Sequence, residues 1–350
     1  MTLKLGDLNV GTGYRPVIVA ELSGNHNKSI NRALQLIREA KKAGVDAVKF
    51  QTYTSDTMTL NYDGDDFKIR DKNNLWNGEH LYNLYERAST PWEWHKELFD
   101  ECTKLNITPF SSPFDSTAVD LLETLDCSVY KVSSFEVTDI PLIEYIGSTK
   151  KPIIMSTGMA SKEEIAEAMD AGYSSGAPSI LLLKCTSTYP ADASNANLKT
   201  ISDMKETFHC EVGLSDHTPG ISVSLAAIAK GACLIEKHLT VKRKDGGVDS
   251  EFSLEPQEFE NLTREAKIVF RSIGKVKYGP ADQQEAISKK YRRSIYASKK
   301  INKGEMFSDE NIKIVRPGLG LPPKEFKNIL GKKAQFDIEF GTPIGYKMIS

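Results

Sequence analysis

The chain is 350 residues long and carries 45 Lys and Arg against 47 Asp and Glu, a net charge of −2. That balance provides no basic footprint for nucleic acid or an anionic membrane, and no apolar run approaches the ~20 residues of a spanning helix. With 40% hydrophobic residues the chain can bury a large core, and it is long for one domain. Residues 1–9 lack the apolar centre of a signal peptide. The five cysteines, Cys102, Cys127, Cys185, Cys210 and Cys233, have no metal-finger or CxxC spacing. They read as reduced packing residues of a cytoplasmic protein.

Apolar and β-branched runs recur along the chain with the length of buried parallel strands. They are PVIVAEL from Pro16, DAVKFQ from Asp46, ITPFSS from Ile107 and SVYKVSS from Ser128, then PIIMST from Pro152, SILLLKCT from Ser179, EVGLS from Glu211 and CLIEKH from Cys233. Helix-period segments separate them. SINRALQLIREAKKAG ends on a C-cap glycine, and SKEEIAEAMDAG opens on Ser161 with Glu164 at the capping-box position. EPQEFENLTREAKIVFRSIG supplies the eighth helix. Eight β/α units over residues 1–274 predict an α/β fold of the TIM (β/α)8 type. An open doubly wound sheet is the alternative, but no GxGxxG follows the first strand.

One connection is far longer than a usual βα loop. Between residues 51 and 91 lie about forty residues containing NNLWNGEHLYNLYERASTPWEWH. Its aromatics Trp76, Tyr82, Tyr85, Trp92 and Trp94, with Asn77, suit a lid or a substrate-selecting wall. The plainer reading is that TPWEWHKELFDECTKLN begins the second barrel helix, with Pro91 at its first position. After Gly274 the pattern changes. Residues 275–293 are polar and charged and read as a linker. Residues 294–350 show short strand signals, a small β-rich module of marginal size for independent stability.

Barrel enzymes work at the C-terminal ends of their strands. Those ends carry Glu21 and Asn25, Lys49 and Gln51, Ser111 and Ser112, Lys131, Ser133, Ser134 and Glu136. Ser156, Thr157, Lys184, Thr186, Ser187, Ser215, His217, Glu236 and His238 complete the ring. Each residue alone could be an ordinary loop contact. Lysines and hydroxyls from six or more strands suit a phosphate or another small anion. Within residues 211–249, strand, helix and strand bring His217 and His238 to one end of the sheet among Asp216, Glu236 and Asp249. That is half of a metal site, or a pair of structural histidines.

AELSGNHN, KFQTYT, PFSSPFD, YKVSSFE, IIMSTGM, LLKCTSTYP, VGLSDHT, EKHLT and RPGLG, in that order, resemble the sialic-acid synthase family over nearly the whole chain. The resemblance implies a TIM barrel joined to an antifreeze-like (SAF, β-clip) domain and condensation of phosphoenolpyruvate with an amino sugar. ELSGNHN, LWNGEHLYNLYERASTPWEWH and GVDSEFSLEP are most similar to the branch that makes pseudaminic acid from a 2,4-diacetamido-2,4,6-trideoxy-altrose. Sialic-acid and legionaminic-acid synthases are the related alternatives.

By motif, Lys49, Ser112, Lys131, Ser134, Ser156 and Ser215 would hold phosphoenolpyruvate. His217 and His238 would ligate a divalent metal, Mn²⁺ in preference to Mg²⁺ or Co²⁺ because imidazole is present. Glu21, Glu136 and Asp249 would handle the sugar and the attacking water, with Glu21 favoured for the water. Gln51, Asn77 and Tyr189 would line the sugar site. Arg316 of a homodimer's other subunit would close it. Two departures from the family pattern are Ser187, for the usual asparagine, whose hydroxyl would make that phosphoenolpyruvate contact, and Lys184, for the usual histidine, whose added charge would serve the phosphate. Two other classes are distinct outcomes: a class I aldolase with Lys184 as its Schiff-base lysine, and a barrel retained only as a scaffold.

Overall fold

The computed structural model describes residues 2–72 and 74–350; Asn73 of the NNLWNGEH stretch lies outside the described residues. The chain divides into two compact units, Met1–Gly274 and Lys275–Ser350.

The first unit opens with an antiparallel hairpin, β1 (Leu3–Leu5) and β2 (Leu8–Val10). Sequence reading passed over it because each strand is only three residues long. Eight parallel strands follow: β3 (Val17–Glu21), β4 (Ala47–Thr52), β5 (Thr108–Pro113), β6 (Tyr130–Val132), β7 (Ile153–Ser156), β8 (Ile180–Cys185), β9 (Glu211–Asp216) and β10 (Leu234–His238). β10 pairs back onto β3, so the sheet closes into a TIM-like barrel. Seven of the eight strands are buried or nearly buried along their whole length, as a sheet covered by helices on one side and filled with side chains on the other requires.

Local chemistry sets the helix ends. Ser29 caps Ile30–Lys42 by accepting from the Arg32 amide. Ser161 and Glu164 form the expected reciprocal capping box at the start of Lys162–Ser175. That helix runs through Gly172, where the sequence pattern suggested an end, and stops at Gly176. The last barrel helix spans Pro256–Ile273. In β9 a Cβ on Gly213 would lie 2.5 Å from the Leu234 carbonyl oxygen and 2.7 Å from Leu183 Cδ2. Only glycine lets the three strands close there.

The second unit has its own core, built around Ile295, Ile301, Phe307, Ile312, Ile338 and Ile344. Its regular strands are β11 (Ser294–Ala297) and β12 (Ile312–Val315), paired antiparallel. The later strand signals become single bridges, Tyr296 to Pro343, Ile301 to Ile338, Met306 to Lys333 and Ala334 to Ile349. The stretch read as a linker contains a helix, Gln283–Ser288, and the Gly318 amide donates to its neighbour Lys290.

Candidate active site

Side chains alternate along a strand, so pairing partners in a parallel barrel share a face. Glu21 pairs with Lys49 and His238, and Glu236 pairs with Ser215, which pairs with Cys185. All six therefore face the barrel interior at its C-terminal mouth. Lys49 Nζ lies 2.7 Å from Glu21 Oε2 and 2.8 Å from Glu236 Oε1. Lys131 Nζ lies 3.6 Å from the same Glu236 oxygen, and Ser215 Oγ donates to it at 3.2 Å. Glu236 is thus the hub of the site. Burial raises the pKa of its carboxyl, but the ammonium groups of Lys131 and Lys49 outweigh burial and bring it to about 2. Burial lowers that of Lys49, with Glu236 opposing.

Around this network the hydroxyls are poised without partners. Ser112 Oγ, Ser156 Oγ, Glu136 Oε2 and Glu236 Oε2 are buried and make no hydrogen bond among the described residues. Buried polar atoms are nearly always paired, so four orphans in one mouth mark the place of a polar ligand. Gly158 follows β7, and its amide donates to Ser134 Oγ at 3.1 Å. A Cβ there would lie 2.1 Å from Ser187 Oγ and 2.9 Å from Ser134 Oγ. Backbone and two hydroxyls make a small cradle suited to anion oxygens, and Ser187, despite departing from the family pattern, is part of it.

The two histidines converge, with ring centroids 5.3 Å apart. His217 Nδ1 donates to the Thr186 carbonyl at 3.1 Å, and His238 Nδ1 lies 3.2 Å from Ser23 Oγ and 3.9 Å from Asp249 Oδ2. Outer partners of this kind set the tautomer of a metal-ligating imidazole. Neither Nε2 atom has a hydrogen-bond partner among the described residues. Burial, then His217 and Lys49, keeps His238 neutral, the form a metal needs. No three His, Cys, Asp or Glu side chains among the described residues make a closed cage. The donors these residues would offer a divalent cation are the two imidazole Nε2 atoms, and its other positions would fall to oxygen ligands.

Three carboxylates border the mouth in different environments. Glu21 is committed to Lys49 and to the Ser23 amide, which donates to Oε1 at 2.8 Å. Burial raises the Asp249 pKa. Glu136, in the turn Ser134–Glu136, is raised by burial to about 7, with Lys131 opposing.

An aromatic wall closes one side. Tyr189 packs on His217 at 4.5 Å, on Phe252 at 5.3 Å and on Trp76 at 6.0 Å, and Phe252 packs on His238 at 4.9 Å. Trp76 Nε1 donates to the Val248 carbonyl at 3.1 Å, which ties the long insertion to the loop after β10. Phe252 and Cys185 were absent from the sequence-derived site, since one isolated Phe and one isolated Cys carry no motif of their own. Cys185 Sγ lies 3.8 Å from His217 Nδ1 and 3.7 Å from Ser187 Oγ.

Some of the expected residues lie away from the mouth and others stand where the strand order puts them. Asn77 is exposed, and its neighbour Trp76 is the residue that turns toward the site. Trp92 and Trp94 belong to the turn leading into the helix His95–Lys104 and not to a lid. Asp216 faces away from the histidines and pairs with Lys237 Nζ at 3.0 Å on the outer side of the sheet. Lys184 is also turned outward, because Cys185 takes the interior position; its Nζ donates to Thr186 Oγ1 and to the Cys185 carbonyl. That orientation removes Lys184 both from the phosphate cradle and from the place a Schiff-base lysine would need. Asn25 is a structural tie, donating to the Leu239 carbonyl and to Ser253 Oγ. Gln51 shares the interior face of β4 with Lys49, two residues on. Arg316 is exposed on the second unit.

Comparison with known proteins agrees with this architecture. The NeuB family matches residues 36–278 and the SAF domain matches residues 292–350. A pseudaminic acid synthase of Campylobacter jejuni is 44% identical over 344 residues, 98% of each chain. A pseudaminic acid synthase of Helicobacter pylori is 42% identical, covering 94% of this chain and 96% of that one. The crystal structure of an N-acetylneuraminic acid (sialic acid) synthetase from Leptospira borgpetersenii superposes with a TM-score of 0.73 at 32% identity, covering 82% of this chain and 95% of that one. The chain belongs to the NeuB family, with its barrel followed by a SAF domain.

Proposed function

We propose that the protein is a pseudaminic acid synthase, condensing phosphoenolpyruvate with 2,4-diacetamido-2,4,6-trideoxy-β-L-altropyranose and water to give pseudaminic acid and phosphate. The observation that carries this reading is the mouth itself. Lys49, Lys131, Ser112, Ser134, Ser156, Ser187 and Ser215 gather where buried polar atoms are left unpaired, beside two converging imidazoles. The likeness to the two pseudaminic acid synthases supports the choice of sugar.

Phosphoenolpyruvate lies with its phosphate and carboxylate among the lysines and serines, which are set in place before the reaction begins. C3 attacks the aldehyde carbon of the open-chain sugar. A divalent cation, Mn²⁺ in preference to Mg²⁺ or Co²⁺, held by His217 and His238 would supply Lewis-acid polarisation of the aldehyde oxygen. Water then adds at C2 as positive charge develops there. One of its protons passes by way of a carboxylate to the oxygen of the former aldehyde, and the C2–O bond to phosphate breaks as the new C2 hydroxyl yields its proton to the departing phosphate. Glu136 suits the proton better than Glu21, because Glu136 Oε2 is buried without a partner among the described residues, whereas Glu21 lies 2.7 Å from Lys49 Nζ through Oε2 and accepts the Ser23 amide through Oε1. Asp249 orients His238 and sugar hydroxyls. Gln51 and Tyr189 line the sugar side of the mouth, with Trp76 in place of Asn77.

Phosphate release from phosphoenolpyruvate with Mn²⁺ and a panel of amino sugars tests the whole reading. The diacetamido sugar should react far better than N-acetylmannosamine, because a pocket built for a second acetamido group leaves polar groups unpaired when it is missing. Equal turnover of both would overturn the sugar assignment and leave the reaction class standing. Chelation should abolish activity and Mn²⁺ should restore it. Full activity in excess EDTA would sink the metal role.

A further inference from the structure

The two candidate metal ligands sit one residue beyond a buried ion pair that the reaction does not use. Asp216 precedes His217 and Lys237 precedes His238, and alternation sends this second pair to the opposite side of the sheet. There Lys237 Nζ lies 3.0 Å from Asp216 Oδ2, and both side chains are almost wholly buried. The pair is held from several directions. Thr218 donates its amide and hydroxyl to Asp216 Oδ1 at 2.9 and 2.7 Å, and Ser224 Oγ donates to Oδ2 at 2.5 Å. Lys237 Nζ also donates to the Thr218 carbonyl at 2.5 Å and lies 3.4 Å from the Asp216 carbonyl.

Lys237 therefore grips the backbone on both sides of His217 while itself preceding His238. β9 pairs with β10 only through Asp216, opposite Lys237, so the ladder ends before the histidines. Thr186, Ser23 and Phe252 hold the rings themselves, while the Asp216–Lys237 pair ties together the backbone ends that carry them. Replacing a buried pair by apolar groups of similar volume is often neutral for stability, which makes stability alone a weak reason for such a pair.

We infer that Asp216 and Lys237, with Thr218 and Ser224, are positioning residues that clamp β9 to β10 and set the separation of His217 and His238 for one divalent cation. The inference rests on the reading of the two histidines as ligands. Loss of an outer partner of a metal ligand typically weakens binding about 10–100-fold.

The test is the Mn²⁺ dissociation constant of the full chain after chelator dialysis, read from the EPR signal of free Mn²⁺, with phosphoenolpyruvate affinity and thermal midpoint measured alongside. The paired substitution Asp216→Leu with Lys237→Met removes both charges together. Thr218→Val and Ser224→Ala each remove one hydroxyl and leave the charges paired, so they decide the matter if the paired variant does not fold. The paired variant should bind Mn²⁺ about 10–100-fold more weakly, and each hydroxyl variant several-fold more weakly, while phosphoenolpyruvate affinity stays at the parent value. Folded variants that keep the parent's Mn²⁺ affinity, whatever their thermal midpoint, overturn the clamp. A parent chain that binds no Mn²⁺ overturns the ligand reading itself, and the clamp with it.

Discussion

Ser112 and Ser156 show how single residues report a site before any ligand is present. Each hydroxyl is buried and unpaired, so it adds nothing to the stability of the free protein. Ser112→Ala and Ser156→Ala should leave the thermal midpoint near the parent's and raise the KM for phosphoenolpyruvate about tenfold, the effect of one lost hydrogen bond to a charged group. A lowered midpoint with an unchanged KM would make them packing residues. Glu136 gives the pH dependence. Its carboxyl is raised by burial to about 7, so it is protonated below that value and a carboxylate above it. If it accepts the proton of the attacking water, kcat should rise with pH through about 7. Glu136→Gln should flatten that limb and lower kcat by about 10²-fold or more. A limb that persists in the glutamine variant would return the role to another carboxylate.

At the scale of elements, the long insertion after β4 and the loop after β10 meet through Trp76 and the Val248 carbonyl. The same indole packs on Tyr189, whose ring covers His217. Trp76→Ala should therefore raise the KM for the sugar well above any change for phosphoenolpyruvate, measured by varying each substrate in turn. Equal effects on both would mean that the insertion only supports the barrel. The strands themselves allow a sharper test of packing. Gly213→Ala places a methyl against the Leu234 carbonyl and Leu183, and it should cost about 1–3 kcal/mol in chemical denaturation.

For the whole molecule, two units with separate cores invite the question of whether one chain completes another's site. We expect a homodimer in which Arg316 of each SAF domain serves the partner's barrel. Arg316→Ala and His217→Ala chains, each inactive or impaired, should regain activity when mixed under conditions of subunit exchange, because one site of the heterodimer would carry both residues. A mixture that stays inactive while mass spectrometry shows heterodimers would rule this out.

The barrel was legible in sequence because parallel strands buried on both faces must read as short apolar runs, and because caps such as Ser161 with Glu164 act within one turn of chain. The charged and hydroxyl residues at the strand ends were legible for the same reason: a polar residue closing an apolar run has few other places to go. Their facing was not. A strand such as β8, buried at every position, carries no binary pattern to say whether Lys184 or Cys185 points inward. Alternation alone could have separated Asp216 from His217, one residue apart. Closure of the sheet decided the rest, by pairing β10 with β3 and bringing Glu236 against Lys49, distant in the chain. Trp76, Tyr189 and Phe252 likewise became one wall only when three loops met. Local sequence determines which segments are strands and helices, since propensity and capping act over a few residues. Which side chains share a site depends on register and closure, and those belong to the folded whole.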